Sequence, residues 1–428
     1  MEATIYKELW LFLFMKLLVL NVVALPPLTV EALDSSDFCM RRVATKTCPT
    51  PPTIDTIDLH TFLGSYYEVG TTARYKLRSE GGLVCMRSNF SMDTPPEAQA
   101  NVVTIDVQNT GLQVVGIESV SAFSKISYSA ADVCANAARM CAMMDTSSKL
   151  SEALVRIGTV SNDIAFSSPM DLKPLNHAAA IINSSVANVY RKADALALTV
   201  TVISRIAAEL SQGVGPYDTL LRALRSTVTS GSNEVRELGS NVIGNLTYTR
   251  NLIAQVITHR TNPSHVELLS EASTLIEQEI ELLISQVSRI QGLLSSIGGP
   301  LADTLEADAS LTNQTKNIVV TKGQVIQTTG ERGNMVLSIK QTIRPYKIIA
   351  LEGFPLLGYS SLLVYSCELD SNGDPVEDVF LLSSSPSIPA PIVNILLNLA
   401  STYGISMDCD SVFVPTVQTT GDCGLLPH

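Results

Sequence analysis

Two apolar stripes in the middle of the chain constrain its fold more than any other feature. Leu175, Ala179, Ile182, Val186, Val189, Ala193, Leu196, Val200, Ile203, Ala207 and Leu210 follow one another at spacings of 4 and 3 without a miss. Val266, Leu269, Ser273, Ile276, Ile280, Leu283, Val287, Ile290, Leu294 and Ile297 do the same with one polar member. A mean spacing near 3.5 keeps one helix face apolar, so each run predicts a long helix that buries a seam against a neighbour. At 1.5 Å per residue each would extend roughly 50 Å. Residues 233–259 read as a less regular helix led by Val235, Leu238 and Val242, and Gly213–Pro216 and Thr261–Pro263 are breaks. Three or four antiparallel helices with short turns make a helical bundle or coiled coil. The stripes are read as packing core, with a protein partner recruited through the bundle as the sharper alternative.

The flanks have a different texture. Tyr66–Val69 and Val84–Met92 are short β-type runs, and Val102–Val107 and Leu112–Val120 flank Asn109-Thr110-Gly111, which reads as a tight hairpin. After Gly330 the strand pattern resumes. Met335, Leu337 and Ile339 alternate with Val336 and Ser338, followed by Lys347–Leu351, Ser361–Cys367 and Val379–Ser383. A helix is expected at Ala390–Tyr403, opened by Pro389 and Pro391 and closed by Gly404. The simplest organisation is one barrel, 33–122 and 331–428, with a helical bundle, 123–330, inserted into a loop.

Residues 8–29 hold a short apolar run broken by Lys16 and Asn21 and ended by Pro26 and Pro27. It reads as a secretory signal peptide within residues 1–32, cleaved between Ala24 and Ala32. A membrane anchor fits less well, because a mid-span Lys costs about 2.5–3.5 kcal/mol. No other run reaches the roughly 18 apolar residues of a membrane helix, so no transmembrane span is expected in the mature protein. The single Trp, Trp10, would leave with the leader. The 8 Cys (Cys39, Cys48, Cys85, Cys134, Cys141, Cys367, Cys409 and Cys423) contain no CxxC spacing. An even number without metal-type spacing reads as disulfides in a secreted, extracellular protein. Sequons at Asn89, Asn183, Asn245 and Asn313 are candidate glycosylation sites. A glycan on Asn183, beside the seam residue Ile182, would crowd a covered bundle.

The function classes narrow in the same way. With 46% apolar and 16% charged residues the chain has enough to build cores, and a net charge of -12 offers no basic footprint for nucleic acid. The five His include no HExxH, His259 and His265 lying six apart. Gly213-Val214-Gly215 lacks the third glycine of a dinucleotide site. Asp370-Ser371-Asn372-Gly373-Asp374 begins like a calcium loop, but its twelfth position is Leu381, so it reads as a hairpin turn. No catalytic residue, metal or cofactor is expected.

Phe62-Leu63-Gly64-Ser65-Tyr66-Tyr67-Glu68-Val69 resembles the first signature of the lipocalin family, where Gly-x-Trp is followed by Tyr-Glu. Cys85–Ser91 resembles the second strand of that family and Leu363–Cys367 the seventh. Leu382–Pro386, Ala390–Gly404 and Val414–Cys423 resemble its last strand, packing helix and C-terminal arm. The order, the Cys pattern and Cys48-Pro49-Thr50-Pro51-Pro52 are most similar to the apolipoprotein D branch. The resemblance covers about 35–122 and 331–428, and the helical block matches nothing in it. Without block and leader roughly 188 residues remain, a size that suits one domain. The implied fold is an all-β eight-stranded lipocalin barrel plus an inserted all-α bundle, α+β overall.

The resemblance also implies the disulfides Cys48–Cys367 and Cys85–Cys423. Of the four Cys left, Cys39 and Cys409 would pair between the terminal arms. Cys134 and Cys141 lie about 10.5 Å apart along a straight helix, too far for a bridge. They pair only if that helix breaks, or stay reduced. The family's signature Trp is Tyr66 here, and its covering Arg is Ser384, so both partners of a cation–π contact are missing. Tyr66 is expected to pack at the barrel base without a cation.

A barrel of this size holds one small ligand. If Asn89 carries a glycan it faces out, which turns Met86, Ser88 and Phe90 inward. Met335, Leu337 and Ile339 would face in likewise, and Phe380 matches an aromatic cavity position by resemblance. The bland alternative is that these side chains simply fill the barrel. The expected lining is apolar and soft, suited to a fatty acid, sterol, retinoid or bilin-like molecule. No buried charge for a ligand carboxylate is evident, since Arg87 would face out and Arg344 and Lys347 lie near a strand end. The insertion point sets the role of the bundle. Taking Leu112–Val120 as the fourth strand puts the bundle in the loop after it, at the closed end, as a handle. An insertion between the third and fourth strands would instead let it gate ligand entry. The handle is the expectation. Some lipocalins are enzymes with a barrel Cys, for which Cys85 would be the candidate were it not needed for a disulfide. The expected function is a secreted carrier of a small hydrophobic molecule or lipid. The alternative is an extracellular interaction or structural protein acting through the bundle.

Overall fold

The computed structural model describes residues 38–39, 47–54, 57–93, 102–144, 148–165, 169–213, 215–308, 317–328, 333–339, 342–354, 358–370, 373, 375–418, 423–424 and 426. The leader at 1–32 and Asn313 lie outside them. Among the described residues no helix is long and apolar enough to cross a membrane.

The chain runs through helix α1 (Leu59–Phe62), strand β1 (Gly64–Thr72), helix α2 (Ala73–Ser79), β2 (Leu83–Ser91) and β3 (Val102–Gln113). It then enters a helical stretch, α3 (Ile117–Met143), α4 (Lys149–Ile164), α5 (Pro169–Ser211), α6 (Tyr217–Leu238), α7 (Gly244–Thr258), α8 (Pro263–Ser296) and α9 (Ala302–Asp308). It returns through β4 (Asn317–Thr328), β5 (Asn334–Ile339), β6 (Thr342–Phe354), β7 (Gly358–Leu369) and β8 (Pro375–Ser383), then α10 (Ala390–Thr402) and β9 (Phe413–Pro415). The strands pair antiparallel in chain order from β2 to β8. β1 pairs with both β2 and β8, closing an eight-stranded barrel, and β9 adds to β1 from outside.

The stripes fold as their spacing requires. Leu175, Ile182, Val189, Ala193, Leu196, Val200, Ile203, Ala207 and Leu210 are all buried in the bundle core. From α8, Leu269, Ile276, Ile280, Leu283, Val287, Ile290 and Leu294 join them. The break before α8 is built by its cap. Asn262 accepts from Ser264 N at 3.0 Å, and Pro263 opens the helix where an N–H would be unpaired. The irregularity of 233–259 is a π-helical turn, Gly239–Ile243, between α6 and α7.

Two boundary expectations are corrected. Asn109-Thr110-Gly111 is not a hairpin but the interior of one strand. Asn109 pairs with Ser88 on one side and Thr321 on the other, and Gly111 pairs with Val319. Gly111 lets Met86 approach the strand, since a Cβ there would lie 2.3 Å from Met86 Sδ and push that flexible side chain aside. Residues 117–120 are helical and 317–328 form a strand, so the helical block runs from Ile117 to Asp308 rather than 123–330. β4 is therefore the fourth strand, and the block joins β3 to β4. In an antiparallel barrel that junction lies at the end where β1 leads into β2. The handle at the closed end is overturned. The bundle stands at the mouth. Its entry and exit meet where Ser119 Oγ donates to Asp308 Oδ2.

The four bridges tie both arms to both regions. Cys48–Cys367 and Cys85–Cys423 are formed, with Cα atoms 5.9 and 5.3 Å apart. Cys39 does not pair with Cys409. It pairs with Cys141, and Cys409 with Cys134. Two turns apart on unbroken α3, Cys134 and Cys141 share a face, and each meets a different terminal arm.

Candidate functional site

The closed end of the barrel is filled. Tyr66 packs between Phe62 and Phe90, at 6.2 and 5.9 Å between ring centroids, and its hydroxyl donates to Phe62 O at 3.0 Å. Burial pushes its phenol up to about 12. The next interior layer is Ile105, Val325, Met335 and Val364. Among the described residues no cation covers Tyr66, and Ser384 is exposed, its N–H donating to Ser360 O.

The mouth half is open. A cavity of about 290 Å³ is lined by Met86, Leu337, Ile339 and Phe380 together with Tyr75, Arg78, Glu80, Asn109, Arg344 and Tyr346. An inner recess of about 30 Å³ adds Glu68, Ser88, Phe90, Val107 and Leu382. Of the residues singled out by alternation, Met86, Ser88, Phe90, Leu337 and Ile339 come together on this wall, joined by Phe380, which the resemblance implied. Met335 lies deeper, in the closed-end core. Asn89 is exposed, its Oδ1 accepting from Ser65 Oγ at 3.0 Å, and Asn183 and Asn245 are exposed on helices. Arg87 stacks over Tyr67 at 4.7 Å.

The wall is less apolar than expected. Lys76, fully buried, donates from Nζ to Glu80 Oε2 (2.9 Å), Glu68 Oε1 (3.3 Å) and Thr416 Oγ1 (3.2 Å). Burial, then Glu68, pushes the Glu80 carboxyl up to about 8 against the pull of Lys76. Burial raises the Tyr75 phenol well above its ordinary range, and Tyr75 meets Phe380 edge-on at 4.6 Å. Arg344 sits on the cavity wall rather than clear of it, its guanidinium 3.5 Å from Glu368 Oε1 and 3.7 Å from Asp378 Oδ2. Burial raises the Asp378 carboxyl, with Arg74 opposing.

Alternation would have found two of these. Val103, Ile105 and Val107 face in, so Asn109 does too. Tyr346 and Ile348 face in, so does Arg344. The contribution of α2 left no comparable signal. Ala73 and Leu77 pack into the bundle core while Tyr75, Arg78 and Glu80 turn to the cavity. Arg78 stacks over Tyr128 of α3 at 3.9 Å and donates to Ser127 Oγ at 3.0 Å. Arg74 is held bidentately by Asp410 at 2.8 and 2.9 Å. The bundle and C-terminal arm thus fix the segment that edges the mouth.

No protein-family model matches the chain, and no curated protein matches it. Part of it is similar to two solved structures, lobster apocrustacyanin A1 and apocrustacyanin C1. Each is 17% identical, with a TM-score of 0.20 over 24% of this chain and 54% of the other. The chain thus spans about half the length of these proteins. The fold assignment rests on the strand pairing, not on that likeness.

Proposed function

We propose that this protein is a secreted carrier that binds one small, largely hydrophobic molecule in the mouth half of its barrel. The observation that carries the reading is the 290 Å³ cavity, walled by Met86, Leu337, Ile339 and Phe380 and left unfilled while the closed end is packed solid. Convergent apolar walls with a few placed polar groups are what a ligand site needs. Four disulfides support a route through an oxidising compartment, with Asn89, Asn183 and Asn245 as exposed glycan acceptors. The Cys48–Cys367 and Cys85–Cys423 pairs, each tying a terminal arm to a strand, fit a lipocalin type of barrel. In this reading the bundle has the gating place, because it holds α2 against the cavity rim.

The test is native mass spectrometry of the secreted protein, with solvent extraction, beside titration with the neutral fluorophore N-phenyl-1-naphthylamine. A co-purifying apolar molecule or saturable fluorescence at one site is expected. No extractable ligand together with no probe binding would sink the carrier reading.

A further inference from the structure

We propose that the cavity selects an amphiphile with a cationic, hydrogen-bond-donating head. A protonated amine would seat against Glu80 and Asn109, with its tail along Leu337, Ile339 and Met86. This rests on the carrier reading and adds the chemistry of the head group.

The inner wall has acceptors to spare. Glu68 and Glu80 are buried side by side and share one cation, Lys76, whose ammonium is already committed to both and to Thr416. When both carboxylates are ionised this trio carries one uncompensated negative charge. Asn109 Oδ1 is sealed from solvent without a hydrogen-bond donor. Both Glu80 and Asn109 line the cavity and its recess. An unmatched buried acceptor is destabilising, and a ligand donor relieves that. The high affinity of Glu80 for its own proton fits a site short of positive charge.

The cations at the mouth are engaged already. Arg78 lies 3.6 Å from Asp410 Oδ2 and stacks over Tyr128. Arg344 lies between Glu368 and Asp378. A fatty-acid carboxylate would meet the Glu68 and Glu80 carboxyls on the inner wall, and both arginines already face carboxylates. An ammonium meets Glu80 directly, with the aromatic rings of Tyr346 and Phe380 on the same wall.

The experiment uses the full secreted chain with its disulfides intact. Decylamine, decanol and decanoate, sharing one tail, each displace N-phenyl-1-naphthylamine at neutral pH. Decylamine is expected to bind at least about tenfold tighter than decanol, and decanoate weakest, as one charge-assisted hydrogen bond predicts. Glu80→Gln and Asn109→Leu should each lower the ratio of decylamine affinity to decanol affinity. Decanoate binding as tightly as decylamine, or an amine preference untouched by both variants, overturns the inference and leaves the carrier reading standing. If the probe and all three amphiphiles fail to bind, the carrier reading falls and this inference with it. Should Glu80→Gln fail to fold, Asn109→Leu and the three-way comparison on the unaltered protein decide.

Discussion

In the bundle, Ile182, Leu196 and Ile203 on α5 face a core that also takes in Ile276, Ile290 and Leu294 from α8, and all six are fully buried. In the barrel the interior column of β5 begins equally well, with Met335 at 0% exposure, but Leu337 and Ile339 beyond it are only half-buried. The two regions use similar apolar residues and finish differently. A repeated seam on each helix lets its neighbours close over it, so these seam residues are packed out of reach of solvent. Toward its mouth the barrel sets Glu68, Asn109 and Arg344 from its strands, and Glu80 from the end of α2, among the apolar side chains. Polar side chains cannot interdigitate there without losing their partners, and a cavity remains.

The sharpest way to break this contrast is Lys76→Met, which leaves Glu68 and Glu80 buried without their shared cation. Removing one partner of a buried ionic group costs about 3–5 kcal/mol, so denaturant unfolding should shift by that much and barrel-mouth binding should fall with it. Next is a matched pair of truncations. Leu196→Ala opens a void in a closed core and should cost about 2–5 kcal/mol. Leu337→Ala lies on an existing cavity and should cost about 1 kcal/mol, with its main effect on ligand binding. Equal losses in urea titrations would show that the two cores are packed alike.

The third test is pH. Glu80 holds its proton to about 8 in the folded protein, against 4.5 ordinarily, so between those values the folded state binds more protons than the unfolded one. Its contribution is therefore fully present below about pH 4.5 and is lost as pH rises through 8. The charged group opposite it, Lys76, is raised from an ordinary value of 10.5, where its own change lies above this window. Stability should fall from pH 5 to 8, and Glu80→Gln should flatten that slope relative to the unaltered protein. The smallest effect is expected at the closed end. Tyr66→Phe removes one hydrogen bond to Phe62 O and should cost about 0.5–1.5 kcal/mol. A larger loss would mean the hydroxyl does more than replace the missing Trp–Arg contact.

Much of the fold was legible. The stripes of α5 and α8, the strand alternation of Met335, Leu337 and Ile339, and the helix opened at Pro389 follow from local periodicity and caps. β4 was missed although Ile318, Val319, Val320 and Thr321 form a β-branched run, because it follows directly on a long helical stretch and lacks a flanking turn signal. Asn109-Thr110-Gly111 carries a turn composition, and pairing on both sides overrode it. At the site, alternation placed Ser88, Phe90 and Leu337 on the wall, and the family resemblance placed Phe380 there. Tyr75, Arg78 and Glu80 were out of reach, since α2 is held by contacts with α3 and with Asp410, far away in the chain.

Sequence alone determined which residues seek burial and with what period, because helix and strand geometry act over a few neighbouring residues. It therefore determined a helical block between two β-regions and the inward parity of the strands. Tertiary structure alone decided that the block joins β3 to β4, that Cys134 and Cys141 serve different arms, and that two carboxylates share Lys76 beside an empty mouth. The first two depend on segments more than a hundred residues apart meeting in space, and the third on Thr416 of the C-terminal arm closing over residues 68–80, and no local pattern encodes those meetings.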